Sequence, residues 1–225
     1  MLAGAGRPVL EQALLRWLTG VEELRLQRGV IASYETIRRW CLKFGQSYAN
    51  ALRRRRPRPG DKWHLDEVFI TINGEQKYLW RAVDQDGNVL DVLVQNRRNK
   101  AAARRFFRRL LKGIGAVPGV IVTDRLRSYG AAHHEVMPSV EHRSHKGLNH
   151  RAEKSHQPTR QRERAKKGFR SVGGAQRFLS AFSGISPHFR PRRHRMTAPD
   201  HRTEMTVRFV IWDQITGATA PPTAA

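Results

Sequence analysis

"WHLDEVFITINGEQKYLWRAVDQDG", residues 63–87, has the alternating apolar pattern and the turn signal of a β-hairpin. Asn73-Gly74 marks the turn, and aromatic and β-branched residues lie on both sides of it. Asp66 lies inside the first strand, although strand interiors disfavour Asp. An unpaired buried carboxylate either costs several kcal/mol or gives up its charge. The hairpin therefore predicts a partner that stabilises a negative charge at Asp66.

Working outward from the hairpin, the sequence predicts an α/β fold with a five-stranded mixed sheet flanked by helices. Asp86-Gly87 marks a second turn and a third strand follows it; the run "GVIVTD" is typical of a strand buried on both faces. The helix "NKAAARRFFRRLLKG" is predicted to end at Gly113. Strands are predicted at 64–72, 76–84, 89–94, 119–124 and 140–143, and further helices at 149–167 and 175–185. Trp63, Tyr78 and Trp80 are interpreted as core residues rather than as base-stacking residues.

The N-terminal part predicts a helix-turn-helix. "SYETIRRWCLKF" carries Ile37, Trp40, Cys41 and Phe44 on one apolar stripe, with Ser33 as its N-cap. The shorter helical segment "VEELRLQRGV" and Gly29 precede it, and the second helix has a basic outer face. That face is predicted to bind DNA, through Arg38, Arg39 and Lys43. A plain helical hairpin is the alternative.

Composition shifts divide the chain into four parts. They are a helix-turn-helix region at 1–52, a basic linker at 53–61, an α/β core at 62–190, and a basic C-terminal segment at 191–225 with a helix and a disordered tail. In the last segment, Met205, Phe209 and Trp212 have the spacing of one helix face.

The charge predicts a polyanionic partner. The chain has 42 Lys and Arg against 19 Asp and Glu, a formal net charge of +23, and nucleic acid is the default partner for such an excess. No apolar run approaches the roughly 20 residues of a membrane span, and the N-terminus lacks a signal-peptide layout. The sequence therefore predicts a cytoplasmic protein that does not bind membranes.

Three acids are predicted to converge at one end of the sheet. Asp66 lies in the first strand, Asp124 ends the buried run, and Glu153 opens the helical stretch that follows the fifth strand. Three adjacent carboxylates repel one another, and divalent cations relieve that repulsion. Carboxylate oxygens suit Mg²⁺, and two such ions support phosphodiester chemistry. Taken singly, Asp66 could pair with an arginine, Asp124 could cap a turn, and Glu153 could be a solvated charge. Glu67 is predicted to face the opposite side of the sheet, as a structural or surface residue.

Three blocks carry a family resemblance: "WHLDEVFITINGEQKYLWRAVDQDGNVLD" (63–91), "VTDRLRSY" (122–129) and "NHRAEKSHQPTRQRER" (149–164). In this order they resemble the DDE transposases of bacterial insertion sequences, in particular insertion-sequence family six, whose core has the ribonuclease-H/retroviral-integrase fold. The resemblance implies that Asp66, Asp124 and Glu153 are the catalytic residues and the ligands of two Mg²⁺ ions, with Mn²⁺ as a substitute.

The resemblance also implies a function. The chain would cleave and transfer strands at the terminal inverted repeats of its element and join them to target DNA, as a homodimer or larger assembly near the bacterial nucleoid. DNA contacts are assigned to Arg38, Arg39, Lys43, His156, Arg160, Arg162 and Arg164. His156 is expected either to contact a phosphate or to orient a catalytic carboxylate.

Two intervals differ from the family pattern: the stretch from Asp124 to Glu153 and the opening segment are both short. Two alternatives therefore stay open at this point. One is a ribonuclease-H-like nuclease that cuts without joining, and the other is a decayed relative that binds DNA without catalysis.

Overall fold

The computed structural model describes residues 34–56, 58–145, 149, 152, 156, 169–189, 191 and 196–217. Several predictions lie outside these residues: the first helix of the helix-turn-helix, the Ser33 cap of its second helix, most of the helix at 149–167, and the disordered tail. The site residues Glu153, Arg160, Arg162 and Arg164 also lie outside them.

The described elements follow one another along the chain in an order close to the predicted one. They are α1 (Tyr34–Arg54), β1 (Lys62–Ile72), β2 (Glu75–Asp84), β3 (Val89–Gln95), α2 (Lys100–Ile114), β4 (Val120–Thr123), α3 (Arg127–Val136), β5 (Glu141–Ser144), α4 (Val172–Ile185), a 3₁₀ turn (Ser186–Phe189) and α5 (Ala198–Thr216).

The five strands form one mixed sheet in the order β3-β2-β1-β4-β5. The first three strands are antiparallel neighbours, while β4 runs parallel to β1 and β5 runs parallel to β4. The turn between β1 and β2 has positive φ at Asn73 (51°) and Gly74 (77°), as a tight two-residue hairpin turn requires. The predicted hairpin and the predicted fold class, a five-stranded mixed sheet flanked by helices, are confirmed.

Helix α2 ends two residues later than predicted. Asn99 caps its start by accepting a hydrogen bond from the Ala102 amide, and Gly115, with φ of 70°, closes its end. Gly113 was the wrong choice of terminator, because the left-handed conformation that ends the helix occurs at Gly115.

The main core lies between one face of the sheet and helices α2 and α3. Strand residues Trp63, Leu65 and Trp80 are 0–1% exposed and belong to a cluster with residues of both helices. The helical members of this cluster include Phe106, Phe107, Leu110 and Tyr129. Burial of this much apolar surface is the main stabilising contribution, and it fixes strands β1 and β4, which position the acids. The core assignment of both tryptophans is confirmed, whereas Tyr78 is only partly buried.

The described chain divides into two compact units. Residues 57–179 form the unit that contains the sheet, where Gln176 of α4 bonds to the main chain of Val92 and Val94 in β3. Residues up to Arg56 and from Ser180 onward form the second unit. In the second unit Trp212 of α5 is fully buried, and its ring lies 5.5 Å from that of Tyr48 in α1.

None of the helices within the described ranges combines the length and the apolar character that crossing a bilayer requires.

Candidate active site

The pairing of β1 with β4 brings Asp66 next to Asp124. The two strands are parallel and in register from Lys62 opposite Val120 to His64 opposite Val122. Strand β4 ends at Thr123, so that Asp124 and Asp66 both lie two residues beyond the last paired positions. Parallel register therefore positions the two carboxylates side by side, as the sequence predicted.

A third carboxylate joins them. Asp66, Glu67 and Asp124 each offer an oxygen, and these oxygens all lie within 4.8 Å of one another. The Glu67 side chain is 3% exposed, so of its two predicted roles, structural or surface, the surface role is wrong. We call Asp66, Glu67 and Asp124 the carboxylate cluster.

The short pairing between β1 and β4 explains how Glu67 reaches the cluster. Strand alternation directs its side chain toward helices α2 and α3, away from that of Asp66. However, the described pairing of β1 with β4 stops at His64, so no neighbouring β4 strand separates the two faces at Glu67. The sequence contained the Asp66-Glu67 doublet, but the early end of β4 could not be deduced from alternation alone.

Burial and charge repulsion shift the proton affinity of Glu67. Its pKa rises from 4.5 to about 7, first because burial removes water from the carboxyl and second because Asp124 is negatively charged. Tyr129 and Arg98 oppose this rise, and the Arg98 Nε atom lies 3.9 Å from Glu67 Oε1.

Tyr129 of α3 is fully buried beside the same carboxyl. Burial, and next the charge of Glu67, raise the pKa of its phenol well above 10. Its hydroxyl makes no hydrogen bond of standard geometry to any described residue, and neither does Glu67 Oε2. The raised pKa keeps Tyr129 a neutral phenol.

Asp124 is held by three hydrogen bonds. Its Oδ1 accepts from the Leu126 amide at 3.0 Å. Its main-chain carbonyl accepts from the hydroxyls of Thr123, at 2.8 Å, and Ser144, at 2.9 Å. These bonds explain why its carboxylate has a defined position although it follows the strand in a loop. The predicted turn interaction and the predicted place in the acid group both apply to this residue.

Two described residues of the third motif block touch β1 beside Asp66. The side-chain amide of Asn149 donates to the Leu65 carbonyl at 2.7 Å. His156 Nε2 lies 3.4 Å from Asp66 Oδ2, and its side chain is 1% exposed. Of the two roles expected for His156, orienting a carboxylate agrees with this placement. Sequence reasoning missed Asn149, although it lies in the quoted motif.

Arg81 lies directly opposite Asp66 in the pairing of β1 with β2. It is 2% exposed, and burial lowers its pKa to about 10. Positive charge is thus available on the strand next to Asp66, and the pairing of Asp66 with an arginine stays a prediction.

The residues predicted to contact DNA from the N-terminal region belong to α1. Arg38 lies within this helix, and the side chains of Arg39 and Lys43 are exposed. They lie in a different unit of the structure from the carboxylate cluster.

The donor set of the carboxylate cluster fits a divalent cation. All three groups offer hard carboxylate oxygens, the type of ligand that Mg²⁺, Ca²⁺ and Mn²⁺ prefer. Glu67 Oε2 is buried without a hydrogen bond to a described residue, so it has free acceptor capacity. The cluster can therefore bind a cation and, through it, the oxygens of a phosphate group.

Comparison with known proteins gives matches over most of the chain. Residues 60–192 match the family model of the DDE domain of IS240-type transposases. The transposase for insertion sequence-like element IS431mec from Staphylococcus aureus is 26% identical over 181 residues, covering 78% of this chain and 79% of that protein. The transposase for insertion sequence element IS257 in transposon Tn4003, also from Staphylococcus aureus, has the same identity and coverage.

Among solved structures, the catalytic domain of Mos1 mariner transposase superposes with a TM-score of 0.40 at 12% identity. The superposition covers 78% of this chain and 93% of that chain.

Proposed function

We propose that Asp66, Asp124 and Glu153 carry the phosphodiester chemistry of this chain, which belongs to the DDE transposases of insertion sequences and is a DNA transposase. Water would attack the phosphodiester at the element end, so that the bond to the 3′ oxygen breaks and a 3′-hydroxyl is released. That hydroxyl would then attack a phosphodiester of the target DNA and displace a 3′ oxygen there. One site would thus perform cleavage and strand transfer.

The observation that carries this proposal is the carboxylate cluster. Strand pairing brings Asp66 and Asp124 together from positions far apart in the sequence, and their oxygens lie within 4.8 Å of each other. Buried acids at this density are costly to the fold unless they serve a bound ligand.

Two neighbours of Glu153 support its inclusion. Asn149 bonds to the residue before Asp66, and His156 lies against the Asp66 carboxylate. Glu153 lies between these two anchors in the sequence, three residues before His156. Contacts of Asn149 and His156 with β1, on either side of Glu153 in the sequence, favour Glu153 as the third acid of the site.

Membership in this family implies dependence on a divalent metal. We infer Mg²⁺, two ions, with Mn²⁺ as a substitute, held by Asp66, Asp124 and Glu153. When bound, such ions lower the pKa of an attacking water or hydroxyl and neutralise charge on the phosphate. Glu67 offers a further carboxylate on the same side of the cluster. The bonds from Leu126, Thr123 and Ser144 would keep Asp124 oriented during the reaction.

The remaining assignments concern DNA. We infer that α1 contacts the terminal inverted repeat through Arg38, Arg39 and Lys43, and that Arg160, Arg162 and Arg164 hold backbone phosphates, since arginine suits phosphate contact. Two element ends must be joined in one reaction, so we infer a homodimer or larger assembly. The substrate is double-stranded DNA, which places the protein in the cytoplasm at the bacterial nucleoid.

A strand-cleavage and joining assay tests this proposal. Labelled DNA that carries the element's own ends would be incubated with Mg²⁺, with Mn²⁺ and with EDTA. We expect metal-dependent joined products from the unmodified chain and none from Asp124→Asn or Glu153→Gln. DNA affinity of Asp124→Asn should be equal or higher, since one negative charge near the phosphate is removed.

Glu135→Gln is a matched control, because Glu135 is an exposed acid that pairs with Arg104 in the same unit. It should keep its activity. Substantial cleavage by Asp124→Asn would show that Asp124 is not a catalytic residue. Cut products without joined products would show that the chain acts as a nuclease without strand transfer.

A further inference from the structure

An exposed aromatic pair lies on β1 and β2, close to the carboxylate cluster. Phe69 is 51% exposed, and its cross-strand partner is Tyr78. Their ring centroids are 5.2 Å apart at an interplanar angle of 52°. The guanidinium carbon of Arg98 lies 5.8 Å from the centre of the Phe69 ring. We call these three residues the aromatic patch.

Packing does not explain why Phe69 is exposed. Its neighbours Val68 and Ile70 point to the other face of the sheet and are 6% and 2% exposed. Tyr78 packs partly against the main core, whereas half of the Phe69 surface faces water. The contacts with Tyr78 and Arg98 stabilise the ring yet leave half of it in water, and an exposed apolar patch rimmed by charged residues marks a candidate interaction site.

The patch is joined to the carboxylate cluster through one side chain. Arg98 contacts the Phe69 ring on one side, and its Nε atom is 3.9 Å from Glu67 Oε1 on the other. The hydroxyl of Ser128 at the start of α3 donates to the Arg98 carbonyl at 2.9 Å and so holds this loop. Phe69 and Glu67 are two residues apart on β1 and therefore point to the same face. The patch thus lies about one nucleotide's length from the acids.

The surroundings of the patch favour a polyanion. Arg97, Arg98 and Lys100 are exposed in the same loop and helix start, in a chain with a net charge of +23. Aromatic rings beside a basic groove are the arrangement by which proteins hold unpaired bases, because every base has a face that stacks. A guanidinium over the same ring can add a cation–π contribution and reach a phosphate.

We propose that the aromatic patch stacks an unpaired base of the DNA strand whose phosphate lies at the carboxylate cluster. This inference rests on the proposed function for the identity of the strand. Phe69 supplies the stacking surface, Tyr78 supports it from the neighbouring strand, and Arg98 contacts the adjacent phosphate. The patch selects DNA that is unpaired near the reacting bond, and it does so without reading the base.

Binding measured in EDTA tests the proposal without any chemistry. The probe is a short duplex with a single-stranded tail that carries 2-aminopurine at the first unpaired position, and its partner is the blunt duplex of the same sequence. We expect the full-length chain to quench the 2-aminopurine emission and to bind the tailed duplex more tightly than the blunt one. Phe69→Ala should weaken binding of the tailed duplex by about 5- to 150-fold, the range for loss of one stacked base, and abolish the quenching.

Two further variants make the result specific. Phe69→Trp keeps a stacking ring and should restore both the quenching and the preference for the tailed duplex. Phe209→Ala removes another exposed phenylalanine, which is 37% exposed on α5, and should change neither. Circular dichroism and thermal unfolding of Phe69→Ala should match those of the unmodified chain, since the side chain is half exposed.

Several results would overturn the proposal. The first is that Phe69→Ala weakens binding of the tailed and the blunt duplex equally. The second is that this variant still quenches the 2-aminopurine emission. The third is that the unmodified chain does not prefer the tailed duplex. A change in sedimentation behaviour with unchanged DNA binding would identify the patch as a contact between copies of the chain instead. The outcome is separate from that of the cleavage assay, because Asp124→Asn is expected to quench the probe normally.

Discussion

Replacing Glu67 with glutamine should stabilise the metal-free protein at alkaline pH and leave its stability near pH 5 almost unchanged. Burial, and next the charge of Asp124, raise the pKa of the Glu67 carboxyl from 4.5 to about 7. Between pH 4.5 and about pH 7 the folded chain keeps a proton on Glu67 that the unfolded chain has released. Stability contributed by this group is therefore complete below pH 4.5 and is lost as the pH rises through 7.

The magnitude follows from proton linkage. Integrated from about pH 5 to about pH 8.5, a carboxyl with these two pKa values lowers the free energy of unfolding by about 2.5 kcal/mol. The side chain is 3% exposed, so water screens little of this effect. Glutamine has nearly the same shape and no charge to lose, so the variant should lack this pH dependence.

Urea unfolding of both proteins in EDTA at about pH 5 and about pH 8.5 measures the effect as the difference between their two pH dependences, which cancels the titration of groups that do not interact with Glu67. For example, His142, whose pKa burial and then the nearby histidines lower to about 4, contributes equally in both proteins. We expect the variant's stability to fall by about 2.5 kcal/mol less than that of the unmodified chain over this range. Equal pH dependence in the two proteins would show that Glu67 titrates normally and that the cluster is more open to water than the structure indicates.

Three further predictions concern the fold, and equilibrium urea unfolding checks each of them. Gly184→Ala should lose about 1–3 kcal/mol, because its new Cβ would lie 2.6 Å from the Ala49 Cβ; Ala49→Gly should restore most of the loss, and a stabilised single variant would contradict this close helix contact. Phe106→Ala should cost about 3–5 kcal/mol, since the ring is fully buried in the main core, and a loss below about 1 kcal/mol would mean that the site is not packed. Asp84→Ala should cost about 1–3 kcal/mol, because its carboxylate accepts from the amide and the side chain of Asn88 in the turn before β3; no change would mean that water replaces these bonds.

The sequence predicted those elements whose signals are local. The strand pair and its turn followed from alternation and from Asn73-Gly74, which needs the positive φ values that the structure has. The end of α2 was misplaced because two glycines occur close together, and the sequence does not show which one takes the left-handed conformation.

The candidate site was predicted in part. The residues Asp66 and Asp124 could be found because each breaks a strand pattern, and parallel strand ends meet at one edge of a sheet. Glu67 could not be assigned correctly, because its contact with them depends on how far β4 runs beside β1. The exposure of Phe69 could not be predicted either, because nothing in its strand pattern distinguishes an exposed ring from a buried one.

Glu67 links the energetics of the fold to its function. A side chain that lowers stability by about 2.5 kcal/mol at alkaline pH takes a large share of the 5–15 kcal/mol that stabilises a typical domain. Tyr129 and Arg98 offset only part of this loss, since Glu67 Oε2 has no hydrogen bond to a described residue and Arg98 Nε lies 3.9 Å from Oε1. A cation at the carboxylate cluster would remove the repulsion from Asp124, and DNA at the aromatic patch would draw Arg98 toward its phosphates. Arg98 faces Glu67 on one side and the aromatic patch on the other, so it links the charge of Glu67 to the proposed position of the DNA, although burial and Asp124 affect that charge more. The ionised Glu67 carboxyl therefore destabilises the protein when neither the cation nor the DNA is bound. A cation at the carboxylate cluster would remove this destabilisation and release Arg98 for the DNA phosphates, so the two ligands should favour each other's binding.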